Sequence, residues 1–187
     1  MRRHQLHSAP GRFASPIQSD LVLGRDTIYR EISNTEAPKP IIASFIACHE
    51  DPSVAQEMFE KFIQGYSRSA LNRYEFNNQG LADIKGYEYY GALAANIDKH
   101  GIDQFVSFLA ELQIWGTPDQ VYEKMIENQK RVDAAGSICM FSYGGMPQDL
   151  AKQNMRLFAE KVLPRLKAYD VGVEIGGNGQ TVQVAAE

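Results

Sequence analysis

The clearest local signal in this sequence is the start of a helix at residues 115–121, which read Trp-Gly-Thr-Pro-Asp-Gln-Val. Thr117 can cap the amino end of a helix, Pro118 fits the first helical position, and Gln120 completes a capping box with Thr117. Apolar residues then recur at helical spacing, and Gly136 is expected to stop the helix. The sequence therefore predicts one well-bounded helix in the second half of the chain.

A strand and a further helix follow this first helix. Residues 137–142 are a short apolar run of strand length, which predicts a buried strand. Gly144 and Gly145 are expected to turn the chain, and the apolar stripe of residues 148–167 predicts a helix packed antiparallel across the strand. Pro164 should bend or tighten the last turn of that helix, because its ring removes one helical hydrogen bond. Helix–strand–helix order is typical of parallel sheets and barrels.

The first half of the chain contains another strand that is followed by a helix. Residues 41–48 predict a buried strand, and Asp51 is expected to cap the helix that comes next. That helix should continue toward Tyr74. Residues 77–100 read as a looser region with several glycines and tyrosines, and residues 102–112 predict one more helix.

Several of these segments resemble the luciferase-like flavin-dependent monooxygenases. Besides residues 115–121, the motifs that resemble the carboxyl-terminal end of that family are Phe-Ser-Tyr-Gly-Gly-Met-Pro at 141–147, Met-Arg-Leu-Phe-Ala at 155–159 and Val-Leu-Pro at 162–164. The motifs that resemble its insert region are Tyr-Glu-Phe at 74–76 and Lys-Gly-Tyr-Glu-Tyr-Tyr-Gly at 85–91. The resemblance covers about Arg25 to Lys167, and it is specific because several separate motifs occur in the right order.

The resemblance implies an α/β fold of the (β/α)8 TIM-barrel type, which typically takes roughly 250 residues. This chain has 187 residues, and its motifs match only the last part of the family pattern. We therefore expect the C-terminal part of a barrel, incomplete in this chain, from a truncated or split gene. The alternative is a compact domain that dimerises to bury its open strand edges. Residues 25–169 would form the partial domain, between a disordered N-terminal tail at 1–24 and a flexible C-terminal tail at 170–187.

The same resemblance implies an oxidoreductase that acts on a small organic substrate with reduced flavin and O2. FMN is the expected cofactor, and the deazaflavin F420 is the alternative. The chain would work with a complementing N-terminal half or as a homodimer. The competing interpretation is a non-catalytic subunit or interaction protein that retains part of the barrel without flavin.

The candidate site residues follow from the rule that barrel chemistry takes place at the carboxyl ends of the strands. The residues expected near the flavin are Ser142, Tyr143, Gly144, Gly145, Trp115 and His49. The two glycines allow close backbone approach, and the helix that begins at Pro147 could receive an anion, although the same residues also suit a plain strand-to-helix turn. No catalytic residue is assigned.

Trp115 and His49 each have a structural alternative. The flat ring of Trp115 is suited to packing against an isoalloxazine, and it is equally suited to anchoring a hydrophobic core. His49 could act as an acid or base near neutral pH, or it could be a solvated loop residue.

Composition and charge restrict the partners of this chain. A net charge of −4 without a long basic run argues against nucleic acid and against an anionic membrane surface. No apolar stretch approaches the length of a membrane span. Cys48 and Cys139 sit in apolar, strand-like runs, which is typical of core cysteines in a reducing cytoplasm, and no metal-ligand spacing is present.

Overall fold

The computed structural model describes residues 15–85 and 87–169 of the chain. The predicted C-terminal tail, 170–187, therefore lies outside the described residues, as do residues 1–14 of the predicted N-terminal tail. Helix α1 spans Ser15–Ser33, so helical structure begins inside the segment that the sequence assigns to that tail.

The described residues form a small α/β structure. Its further elements, in chain order, are β1 (Ile41–Cys48), α2 (Pro52–Met58), a π-helical turn (Phe59–Ile63), α3 (Gln64–Tyr74), a 3-10 helix (Gln79–Asp83), α4 (Glu88–His100), α5 (Ile102–Glu111), β2 (Ile114–Gly116), α6 (Pro118–Val132), β3 (Gly136–Met140), α7 (Gln148–Lys161) and α8 (Leu163–Lys167). The bounds of β1 agree with the predicted strand. The predicted helix after Asp51 does continue to Tyr74, through the π-helical turn.

The three strands form one parallel sheet in the order β2-β1-β3. Ile46 of β1 pairs with Ile114 of β2, and Ile41 of β1 pairs with Gly136 of β3. An α/β fold with a small parallel sheet is therefore confirmed.

The strand order differs from the order of consecutive strands in a (β/α)8 barrel, where neighbours in sequence lie side by side and the helices form an outer ring. Here the first strand lies between the other two, and its carboxyl half is covered on both faces. Ala47 packs with Met58 of α2 and Phe62 of the π-helical turn, whereas Ile46 packs with Val121 of α6 on the opposite face. Within the described residues, the strands do not form a consecutive arc of a barrel wall.

The prediction that residues 137–142 form a buried strand is wrong in its burial. The strand is present as β3, but it lies at the edge of the sheet and Ile138 is 58% exposed. Helix α7 packs chiefly against β1 instead of crossing β3. Among the described residues, no strand lies beside the outer edge of β3.

Three further boundaries differ from the predictions. Helix α6 ends at Val132, because Asp133 takes a left-handed conformation with φ of 47°, and Gly136 instead begins β3. The region predicted to be loose contains α4, and β2 is a strand that the sequence did not predict. Pro164 acts as predicted, since the chain leaves α7 at Val162 and restarts as the short α8.

The capping box at the start of α6 is confirmed. The Thr117 N–H donates to Gln120 Oε1 at 2.9 Å, and the Gln120 N–H donates to Thr117 Oγ1 at 3.5 Å. Gly116 precedes this box with φ of 137°, and a Cβ atom there would lie 2.5 Å from Gln120 Oε1. Glycine is thus required at position 116, because a larger residue would leave no room for the Gln120 side chain that folds back to the Thr117 N–H.

We expect Thr117→Ala to lower the free energy of unfolding by about 1 kcal/mol, because the cap hydroxyl is lost. Urea unfolding monitored by circular dichroism would measure the change. Glu123→Ala, at an exposed position of the same helix, is the matched control and should leave stability nearly unchanged. Equal urea midpoints for both variants would show that the cap contributes nothing.

Two glycine-to-alanine substitutions should have effects of opposite sign. Gly116→Ala should destabilise the protein by roughly 1–3 kcal/mol, because alanine strains the backbone and displaces Gln120. Gly65→Ala in α3, where a Cβ meets nothing within 4 Å, should stabilise it by about 0.5–1 kcal/mol. Thermal melts of both variants test the pair, and destabilisation of the same size by each would contradict the geometry.

Candidate functional site

The carboxyl ends of β1 and β2 lie side by side. The His49 N–H, which directly follows β1, donates to the carbonyl oxygen of Gly116 at 3.2 Å. Parallel pairing brings the two loops that follow these strands to the same edge of the sheet. The sequence predicts the second strand end at Ser142 instead, because it does not predict β2.

Tyr143 lies under this edge and is only 8% exposed. Its hydroxyl donates to the carbonyl oxygen of Ile46 at 3.0 Å, and its ring centroid lies 4.5 Å from that of Phe45. Burial raises the pKa of the Tyr143 hydroxyl above its ordinary value. The hydroxyl is therefore a neutral donor that is already engaged within the chain.

Asn154 of α7 is the residue at this edge that the sequence did not predict. It is 1% exposed, its Oδ1 accepts from the Cys48 N–H at 2.8 Å, and its Nδ2 donates to the Ile46 carbonyl at 2.6 Å. These two backbone groups of β1 lie beyond the last pair with β3, which joins Phe45 and Met140. Asn154 thus replaces the next strand residue. A polar residue within the apolar stripe of the predicted helix is the signal that could have identified it.

Gly144 and Gly145 form a tight turn, with φ of 59° and 75°. The Met146 N–H donates to the Tyr143 carbonyl across the turn at 2.9 Å. A Cβ on Gly144 would lie 2.5 Å from the carbonyl oxygen of Phe62, in the π-helical turn. The close approach that glycine permits is therefore used by the neighbouring helix of the same chain.

Trp115 is held on both its ring and its backbone. Its ring stacks on Phe59 with centroids 4.4 Å apart, and Lys124 Nζ lies 4.4 Å from the ring centroid and donates to the Trp115 carbonyl at 3.0 Å. Burial lowers the pKa of Lys124, against the opposing effect of Glu111 and Glu127. The indole Nε1 is buried and has no hydrogen-bond partner among the described residues.

The loop after β1 is organised by Asp51. Its carboxylate accepts from the Ser53 N–H at 2.8 Å and from the Ser53 hydroxyl at 2.7 Å, and these bonds lower the pKa of Asp51. The Asp51 N–H in turn donates to His49 Nδ1 at 3.0 Å. Asp51 is thus a helix cap, and His49 is oriented by the backbone of the same loop. Burial, with a smaller effect of Glu50, raises the pKa of the neighbouring Cys48 thiol to about 12.

The six predicted site residues do not converge on one opening. Trp115 and Tyr143 pack against a single apolar cluster between the sheet and α2–α3, while Ser142 is exposed and His49 is half-buried in a separate loop. An open cleft of about 430 Å³ is lined by Glu50, Thr117, Pro118, Asp119, Lys161 and Arg165. It lies where the helices after β1 and β2 leave toward opposite faces of the sheet, and Arg165 spans it to Asp119 at 2.6 Å.

The described residues contain no group of three or more His, Cys, Asp or Glu side chains placed to hold a metal ion. None of their helices has the length and apolar character needed to cross a membrane.

Comparisons with known proteins relate this chain to one family. Residues 26–134 match the family model described as luciferase-like monooxygenase. The matched region includes His49 and Trp115 and ends before the Ser142–Gly145 turn. No curated protein matches the chain.

Two solved structures are similar to the chain. The monooxygenase RslO1 from Streptomyces bottropensis is 16% identical, with 82% of this chain and 40% of that chain covered and a TM-score of 0.47. Apo-MsnO8 is 19% identical, with 79% of this chain and 43% of that chain covered and a TM-score of 0.43. The chain thus spans less than half the length of either protein.

Asn154→Ala should destabilise the protein by about 1–3 kcal/mol for each buried group of β1 that it leaves unpaired. Tyr143→Phe should cost less, about 0.5–1.5 kcal/mol, because Asn154 still donates to the Ile46 carbonyl. Gln153→Ala, one residue away and exposed, is the control. Urea unfolding of the two single variants and the double variant tests the shared acceptor, and an Asn154→Ala variant as stable as the control would contradict it.

Proposed function

This chain belongs to the luciferase-like monooxygenase family, and we propose that it forms part of a flavin-dependent monooxygenase that oxidises a small organic substrate with O2. The family match over residues 26–134 is the observation that carries the proposal. The chain covers 40% of RslO1, so we propose the activity for a protein completed by further polypeptide, from a split or truncated barrel. Such a barrel would need its strands in consecutive order, and β3 would have to leave β1.

We propose reduced FMN as the cofactor, with the deazaflavin F420 as the alternative. When bound, the reduced flavin supplies the electrons with which O2 is activated, and the protein supplies orientation and shielding from water. Three of the proposed contacts, Trp115, Tyr143 and Gly144, are engaged in packing within this chain. We therefore propose that flavin binds only after further polypeptide has completed the fold and the apolar cluster under the sheet edge has opened.

The contribution of His49 would be proton donation. Its Nδ1 accepts a hydrogen bond from the Asp51 N–H, so the proton of the neutral ring is carried by Nε2. The cap of α2 fixes this tautomer through the backbone of the loop. Nε2 is then the atom that can donate to a substrate or cofactor oxygen at the carboxyl edge of the sheet.

The indole Nε1 of Trp115, which has no partner among the described residues, is a second donor at this edge. A buried donor without a partner costs free energy, and a ligand acceptor would recover it. We propose that Trp115 turns this N–H toward the flavin or the substrate in the completed protein. Ser142 and Gly145, which are exposed, would complete the contacts from the loop after β3.

A non-catalytic subunit or interaction protein is the second candidate. The observation that favours it is the filled apolar cluster, in which Phe59 occupies the Trp115 face that a flavin would use. A reducing compartment such as the cytoplasm suits either function, because Cys48 and Cys139 are free thiols.

The isolated chain should show little or no oxidation of an aldehyde or a terpene-like substrate when reduced FMN and O2 are supplied, because its candidate contacts are occupied and its site is not closed against water. Co-expression with the amino-terminal half of a family member should yield a complex that binds flavin and oxidises substrate. Flavin absorbance and product formation are the readouts, with FMN and F420 titrated separately.

Two variants of the complex sharpen this experiment. Ser142→Trp should block flavin binding, whereas Gln153→Trp on the exposed side of α7 should not. A folded complex that ignores both cofactors would rule out the enzyme proposal and favour the interaction protein. Robust oxidation by the chain alone would rule out the need for completion.

A further inference from the structure

Trp115 is reached by a lysine from the opposite face of the sheet. The His49 N–H donates to the carbonyl oxygen of Gly116, so the peptide groups of Gly116 face β1 and the carbonyl of Trp115 faces outward from β2. Lys124 donates to this outward carbonyl at 3.0 Å. The Trp115 ring packs on the side of α2, whereas the helix that carries Lys124, α6, covers the other face. The lysine side chain therefore crosses the outer edge of β2.

The same ammonium group contacts the indole. Lys124 Nζ lies 4.4 Å from the Trp115 ring centroid, and the Phe59 ring stacks on the indole with centroids 4.4 Å apart. Burial lowers the pKa of Lys124, and the carboxylates of Glu111 and Glu127 oppose this shift. A cation that is partly removed from water attracts an aromatic ring more strongly than an exposed one does. We call this arrangement of the indole, against Phe59 and Lys124, the closed position.

The closed position leaves one polar atom of the indole uncompensated. Nε1 is buried and has no hydrogen-bond partner within residues 15–85 and 87–169. The free energy lost by burying one donor without a partner is similar in size to that gained from one cation–π contact or one aromatic stack. Two contacts therefore hold the indole against one cost of similar size, and loss of either contact would shift its position.

The two contacts made by Lys124 act on different parts of Trp115. The hydrogen bond to the carbonyl oxygen fixes the backbone of β2, and it does not depend on how the indole is rotated. The ammonium group lies over the ring when the indole is closed, and a rotated ring loses this contact. The charge of Lys124 therefore stabilises the closed position of the indole, while its hydrogen bond stabilises the strand.

We propose that Lys124 is a positioning residue that keeps the indole of Trp115 in the closed position and thereby opposes flavin binding at this edge. The inference rests on the proposed function, in which Trp115 turns its N–H toward the flavin or the substrate. A ligand that requires the turned indole binds with an apparent dissociation constant that rises as the turned fraction falls. Loss of the Lys124 charge should therefore tighten flavin binding, whereas loss of a ligand contact would weaken it.

Trp115 is the single tryptophan of the chain, so its fluorescence reports the indole directly. In the isolated chain, Lys124→Gln should raise the rate constant of acrylamide quenching by about twofold or more, because the cation over the ring is lost. Lys124→Arg, which retains a cation and a donor, should behave like the unaltered chain. Lys130→Gln is the matched control, since it removes a charge from the same helix at a side chain that lies over Tyr169 instead.

Far-ultraviolet circular dichroism should show native helix content in each variant. If Lys124→Gln does not fold, Lys124→Met takes its place, because methionine keeps an unbranched apolar side chain in the buried space and removes the charge. Quenching equal to that of the unaltered chain in a folded, uncharged variant overturns the proposal.

FMN titration of the complex with the amino-terminal half separates this role from a merely structural one. Lys124→Gln should lower the Kd for FMN by about threefold or more, the factor expected from one lost cation–π contact. Lys124→Arg and Lys130→Gln should leave the Kd unchanged. Weaker FMN binding by Lys124→Gln overturns the proposal. If the unaltered complex binds no FMN, the proposed function fails with this cofactor, and quenching in the isolated chain decides whether Lys124 holds the indole.

Discussion

The pairing of β1 is the constraint on which the rest of this structure depends. Ile46, Ala47 and Cys48 are completely buried, so each N–H and C=O in this half of the strand requires a partner inside the protein. β2 satisfies one side, and β3 satisfies the other side only as far as Phe45. Beyond that point Asn154 and Tyr143 supply the missing hydrogen bonds from α7 and its preceding turn. The position of α7 beside β1 follows from this need.

The local signals of the sequence predicted local structure well. Capping and proline positions depend on a few neighbouring residues, and Thr117, Asp51 and Pro164 act in the structure as their chemistry requires. β2 could not be predicted, because three residues cannot show a period and their strand character comes from pairing with β1. The exposure of Ile138 could not be predicted either, since an apolar run does not reveal whether a further strand lies beside it.

For the candidate site, too, local features were predicted from the sequence and long-range contacts were not. The sequence placed Tyr143 at a strand end and Trp115 at the start of a helix, and the structure brings both against one apolar cluster. The contacts of these residues could not be predicted from the sequence, because Phe59 and Phe62 belong to a helical segment more than fifty residues before Trp115. The features suited to flavin, a flat ring, a donor hydroxyl and a glycine turn, are equally suited to close packing. Which use prevails depends on what else fills the space, and in this chain the π-helical turn fills it.

The strand order determines which residues of β1 are buried here and which would be buried in a barrel. With β1 in the middle, α2 and the π-helical turn cover one face and α6 the other, so the hydrophobic residues in the carboxyl half of the strand are buried on both faces. A barrel arrangement would return one face to an interior that several other strands must line. Moving β3 away from β1 would also forfeit five backbone pairings, from Ile41–Gly136 to Phe45–Met140. Completion of a barrel must therefore provide more burial and pairing than it removes. The exposed Ile41 of β1 and Ile138 of β3 are where that gain would begin, since they are apolar surface of the sheet that the present arrangement leaves open.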